Sequence, residues 1–156
     1  MFFLENEWAR NYLLIACSSL LDILMISSLY QWAFYGKNYR VIVAAVILFI
    51  SRFALQAIWV QEYPQGYNWA YPGVFSIFVP YGETADFFFS GHVGICSLVY
   101  FEHLREGNHK MKKFALFTML AQVFLMVVLR SHFTVDMVSA FIFAHYAFLM
   151  SESYLS

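Results

Sequence analysis

The residues in this chain with the clearest chemical potential are His132 and Asp136. They stand four apart at the start of an apolar run, in the stretch VVLRSHFTVDMVSA from Val127 to Ala140. Four residues is about one helical turn, so the spacing predicts an imidazole and a carboxylate on one helix face. A carboxylate in that position fixes the imidazole tautomer and stabilises its charged form, which is how a histidine becomes a nucleophile or base. An ionisable pair inside a hydrophobic segment is costly and therefore marks function by default. The plainer reading is a polar contact that holds two helices together.

A second histidine lies about forty residues earlier. The segment ETADFFFSGHVG carries Ser90, Gly91 and His92 at the start of another apolar run. If the two apolar segments between the histidines form a hairpin across a membrane, His92 and His132 emerge on the same side, each at a helix N-terminus. Such termini present free N–H groups and a positive dipole end, which suits a phosphate. Gly91 allows close backbone approach and Ser90 offers a hydroxyl donor. This set fits phosphoryl transfer. The rival reading, a histidine-rich metal site, leaves the serine and glycine idle and is thinly liganded with one carboxylate; no metal and no cofactor is expected.

The elements that must position these groups are membrane spans. The chain has 156 residues, of which 62% are hydrophobic, 21% aromatic and 12% charged, with a mean hydropathy of +0.62. A soluble domain carries roughly 25% charged residues, so this is the composition of an integral membrane protein. The length suits a single domain over residues 1–156, and no repeat or long linker divides it. The net charge of −1 gives no electrostatic case for nucleic acid. Cys17 and Cys96 match no metal spacing. The acidic start, MFFLENEWAR, leads us to expect no cleaved targeting peptide.

The apolar runs predict an all-α, polytopic transmembrane bundle of about five spans. These are Asn11 to Tyr35, Val41 to Val60, Asp86 to about Phe101, Phe114 to Leu129, and His132 to about Met150. Asp22 and Arg52 fall inside the first two spans and could pair between neighbouring helices; Arg52 could also snorkel to the interface or meet an anionic group. Gln61 to Ala85 holds all three prolines and is dense in Tyr and Trp, which suggests a re-entrant or interfacial loop. Basic residues gather in the turns after spans one and three (Lys37, Arg40, Arg105, Lys110, Lys112, Lys113). The positive-inside rule puts those turns in the cytosol or its equivalent, and the aromatic loop and both histidines on the far side.

FFFSGHVG followed by RSHFTVD resembles the paired signature of the type 2 phosphatidic acid phosphatase superfamily. Within it, the sequence is most similar to the branch of sphingomyelin synthases and phosphatidylcholine:diacylglycerol cholinephosphotransferases. Motifs of that branch read D-x-x-F-S-G-H and H-Y-T-x-D, give or take a residue. Here Asp86 stands six before His92, and H-F-T-V-D stands for H-Y-T-x-D. Arg130, two before His132, resembles the R-G-H of the plant cholinephosphotransferases, and the run from Arg40 through Arg52 to Pro64 loosely resembles the family's arginine-containing span. The resemblance covers roughly residues 40–150. It also has gaps. The wider family's K-x-x-x-x-x-x-R-P motif is not found, and Met126 holds the place of an arginine six before the second histidine. Five spans are counted where the family core has six, the first being the missing one.

The resemblance implies a lipid phosphotransferase that moves phosphocholine, or a similar headgroup, from a phospholipid to a lipid alcohol. His132 would carry a phosphohistidine intermediate, Asp136 would support it, and His92 would serve as acid and base. Ser90, Gly91, Arg130 and Arg52 would neutralise phosphoryl oxygens. Asp86 and the aromatic loop could hold a choline group through charge and cation–π contact. Two alternatives remain open from the sequence. Water could be the acceptor, making a hydrolase. Or the chain could be a non-catalytic accessory subunit of a larger, for example mitochondrial, membrane complex. The expected setting is the non-cytosolic face of endoplasmic reticulum, Golgi or plasma membrane, or the mitochondrial inner membrane for a complex subunit.

Overall fold

The computed structural model describes residues 2–36, 39–59, 65, 69–81 and 88–155. It is built of helices, in the order α1 (Phe2–Glu5), α2 (Glu7–Tyr35), α3 (Arg40–Ile58), α4 (Gly91–Arg105), α5 (His109–Val128) and α6 (Thr134–Leu155). The expected all-α bundle is therefore what forms. Four helices, α2, α3, α5 and α6, are long and apolar enough to cross a membrane. Their outer faces carry exposed large side chains such as Ile58 at 82%, Phe34 at 71% and Phe53 at 65%. Water would penalise such a surface and hydrocarbon would not, so the chain is an integral membrane protein.

The third expected span differs from its reading. It begins at Gly91 rather than Asp86, and it runs through Arg105. Its 15 residues, at about 1.5 Å each, reach roughly 22 Å, short of the ~30 Å hydrocarbon core. The helix forms the centre of the bundle rather than a lipid-facing wall. It packs against α5, α6, α3 and α2, and Glu102 and His103 near its end are buried. The charged run Glu102 to Lys113, expected as a turn, mostly continues the two helices. Only residues 106–108 turn, through Gly107 at φ +73°, and Asn108 then caps α5 by accepting the Met111 N–H at 3.2 Å.

Close approach and buried polar bonds fix the packing. A Cβ on Gly94 would lie 3.1 Å from a methyl of Leu48, so the glycine lets α3 and α4 close up. Gln122 Nε2 donates to the Cys17 carbonyl at 2.7 Å and joins α5 to α2. In contrast α2 and α3 do not pack closely on one another. Into the space beside them comes the segment 69–81, and Val79 is buried among Leu21, Leu24 and Cys96. Much of the expected loop Gln61 to Ala85 lies outside the described residues.

Asp22 holds the segment in place. Its carboxylate accepts the Ser76 hydroxyl at 2.9 Å, the Ile77 N–H at 3.2 Å and the Phe78 N–H at 3.1 Å. The expected Asp22–Arg52 pair does not form. A carboxylate needs donors, and the backbone of the incoming segment reaches it where an arginine on a separated helix does not. Tyr81 closes the same segment against Ser18. Burial pushes its phenol above the ordinary value and the Asp22 charge adds to this, while the Ser18 bond opposes it.

Candidate active site

His132 precedes its helix instead of riding on it. α6 begins at Thr134, so the expected arrangement, two side chains one turn apart on a helix face, is corrected. Asp136 reaches back from the first turn, and its Oδ2 accepts the Phe133 N–H at 2.9 Å. This is half of a capping box, a first-turn carboxylate satisfying a donor at the helix start. The same Oδ2 lies 3.5 Å from His132 Nδ1. Asp136 is completely buried, and its Oδ1 has no hydrogen-bond partner among the described residues. The pairing read from sequence thus survives with a different local cause. The helix cap, not helical periodicity, brings carboxylate to imidazole.

The two histidine motifs are joined through the backbone. The Ser90 N–H donates to the Asp136 carbonyl at 3.3 Å, so the start of α4 is tied to the first turn of α6. Phe89 stacks on Phe143 at 4.9 Å between ring centroids and buttresses the junction. Arg52 enters from α3. It is 9% exposed, and its Nε donates to the Phe89 carbonyl at 2.9 Å. A Cβ on Gly91 would sit 3.6 Å from the guanidinium, ordinary van der Waals contact. Gly91 therefore presents its backbone to Arg52 without a steric need for glycine.

These elements enclose a cavity of about 380 Å³. Arg52, Gly91, His92 and His132 line it, and so do Ser131, Met126 and Trp69, with Leu21, Met25, Ala45 and Phe49 forming an apolar wall from α2 and α3. Trp69 Nε1 donates to the Pro80 carbonyl at 3.0 Å, and its ring lies 5.8 Å from that of His92. Asp22, by holding residues 76–78, thus indirectly sets the aromatic wall beside an imidazole. Among the described residues, no group of three or more His, Cys, Asp or Glu side chains is placed to hold a metal ion.

Residues 84–153 match the family model described as PAP2 superfamily C-terminal. The match supports the type 2 phosphatidic acid phosphatase superfamily, and with it a lipid phosphatase or phosphotransferase type of function. It takes in α4, α5 and most of α6 with both histidines and Asp136, and leaves out α2 and α3. The cavity is therefore a composite. Its imidazoles come from the PAP2-like segment, and Arg52 with most of the apolar wall comes from outside it. No curated protein and no solved structure matches the chain.

The PAP2-like site does not gather every residue singled out in the sequence. Ser90 is fully buried, accepts the Val93 N–H at 3.4 Å as the α4 cap, and donates to Met126 Sδ at 3.1 Å. It is not among the cavity-lining residues. Arg130 is exposed, donates to the Gln65 carbonyl at 3.4 Å and is not among the cavity-lining residues. Its backbone, at φ +52°, ends α5. The Arg130 N–H meets the Val127 carbonyl and the Ser131 N–H meets the Met126 carbonyl, the bond pair of a Schellman motif, with arginine where glycine is usual. Asp86 lies outside the described residues. Met126, which stands where the resembled signature has an arginine, is fully buried and forms part of the wall. Sequence reasoning did not pick out Ser131 or Phe49, because neither spacing nor residue type marks a wall residue.

Proposed function

We propose that the chain is a membrane-embedded lipid phosphotransferase that moves phosphocholine, or a similar headgroup, from a phospholipid to a lipid alcohol. The observation that carries this reading is that His92 and His132 line one cavity with Arg52, beside an apolar wall. His132 has Nδ1 towards Asp136, so Nε2 is the attacking nitrogen. Its lone pair forms the bond to phosphorus as the bond to the diacylglycerol oxygen breaks. His92 supplies the proton that this oxygen takes up. In the second half, His92 removes the proton of the incoming hydroxyl, whose oxygen displaces His132 from phosphorus. The buried Asp136 carboxylate favours the cationic ring that develops on His132. Arg52 and the N–H groups at the start of α4 neutralise the phosphoryl oxygens.

Charge favours a diester over a monoester substrate. Among the described lining residues Arg52 is the one permanent cation, and the family's arginine is replaced by Met126. A phosphodiester carries a single negative charge. A phosphomonoester dianion would leave a second charge poorly matched in an apolar surrounding. The open cavity also supports a working site over an accessory role. The basic residues Arg40 and Arg105 at the opposite end of the bundle support placing the site on the non-cytosolic side.

The test is headgroup transfer from labelled phosphatidylcholine to diacylglycerol or ceramide in liposomes. The parent chain is expected to transfer label, and His132→Ala is expected to lose at least about a thousandfold in rate. Equal transfer by that variant would sink the mechanism. Label released as free phosphocholine with no lipid acceptor would make water the acceptor.

A further inference from the structure

Ser131 is a residue that the reading above does not use. It is 3% exposed, it lines the cavity together with Met126 and His132, and its Oγ has no hydrogen-bond partner among the described residues. A buried hydroxyl left unmet costs about 1–3 kcal/mol, so packing alone would favour alanine here. The serine expected from the sequence is already committed, because Ser90 Oγ caps α4 and donates to Met126 Sδ. Of these two serines, Ser131 is the one with a donor to give.

The local backbone explains how the residue is placed. Arg130 takes the left-handed conformation at φ +52°, and the Ser131 N–H returns to the Met126 carbonyl at 3.0 Å. This reversal turns residue 131 inward while Arg130 stays exposed. An arginine in that conformation is strained relative to glycine, and strain of this kind is retained where geometry matters.

We propose that Ser131 Oγ is a phosphoryl-oxygen donor and stands in for the cation that Met126 lacks. This assignment rests on the phosphotransferase reading. An O–H adds a hydrogen bond to a non-bridging oxygen without adding charge, which matches a monoanionic phosphodiester held by one arginine. No bond to Ser131 forms or breaks in the reaction.

The experiment is orthovanadate binding to the detergent-solubilised full chain, read by calorimetry and by thermal melting. The parent is expected to bind and melt higher with vanadate. Ser131→Ala is expected to bind at least about tenfold more weakly, while its melting temperature without vanadate stays equal to the parent's or rises. Ser131→Thr keeps the hydroxyl and is expected to bind within about threefold of the parent, on the same hydrogen-bond scale. Equal binding by parent and Ser131→Ala overturns the assignment, as does a vanadate-free Ser131→Ala that melts several degrees lower, since that marks a structural hydroxyl. A parent that binds no vanadate overturns the phosphoryl-site reading itself.

Discussion

The two ends of α4 make opposite use of polar groups. At its C-terminal end, Arg40 donates through Nε and Nη2 to the two carboxylate oxygens of Glu102, both at 2.9 Å. Arg105 donates to Glu152 at 2.7 Å, and the Arg40 guanidinium sits 5.5 Å from the Phe148 ring centroid. The charges close on one another and bind α3, α4 and α6 together. At its N-terminal end, Asp136 Oδ1 and Ser131 Oγ are buried without a partner among the described residues, and a cavity opens beside them. One end spends its polar groups on the fold. The other keeps some in reserve, at a cost to stability, which is what a site awaiting a ligand requires. Two features blur the contrast: His103 Nδ1 is 3.0 Å from Glu106 while its Nε2 has no partner among the described residues, and a cavity of about 570 Å³ opens at this end too, beside Glu102, His103 and Glu106.

Substitutions at the two ends should separate activity from stability. The largest effect expected is on turnover. Asp136→Asn keeps an oxygen to accept the Phe133 N–H, so α6 should keep its cap, yet it removes the charge beside His132. Transfer should fall by about a hundredfold or more with a nearly unchanged melting temperature. A collapse in melting temperature instead would mean that Asp136 belongs to the structural class, and the contrast between the ends would fail.

Glu102→Ala is the converse. It leaves the Arg40 guanidinium, whose side chain is 14% exposed, without its bidentate partner. Denaturation should show a loss of about 3 kcal/mol, and the folded fraction should transfer headgroup at the parent rate. Loss of rate at full stability would tie that end to the chemistry. The smallest effect expected is at Arg130. Glycine holds the left-handed conformation without the Cβ penalty, so Arg130→Gly should stabilise the chain by about 1 kcal/mol. Transfer should change little, because the side chain contacts the Gln65 carbonyl and does not line the cavity. A large drop in transfer would instead assign the guanidinium to the phosphate, as the sequence resemblance implies.

Much of this was readable before any coordinates. Apolar runs of span length predicted the bundle, since hydrocarbon leaves the backbone little choice but helix. The residue spacing singled out His92, His132 and Asp136, and the structure brings both imidazoles to one cavity. Other expectations were local readings of a non-local matter. Asp22 and Arg52 looked like partners because both are charges in apolar spans. Yet Asp22 is met by the backbone of residues 77–78 and Arg52 by the Phe89 carbonyl. Ser90 looked like a ligand because it precedes Gly-His, and its hydroxyl is taken by Val93 and Met126. Ser131 gave no signal, because nothing in the order of residues reports an unmet hydroxyl.

Residue order by itself determined that this chain lives in a membrane and which ionisable groups bear the cost of being there, because both follow from composition and from the energy of burying charge. Only the three-dimensional packing decided which of those groups share a cavity and which neutralise each other. Partner choice depends on distances between residues tens of positions apart, and helix packing sets those distances. α2 and α3 stand apart, a segment pinned to Asp22 of α2 lies beside them, and Arg52, His92, Ser131 and His132 meet in the cavity these elements line.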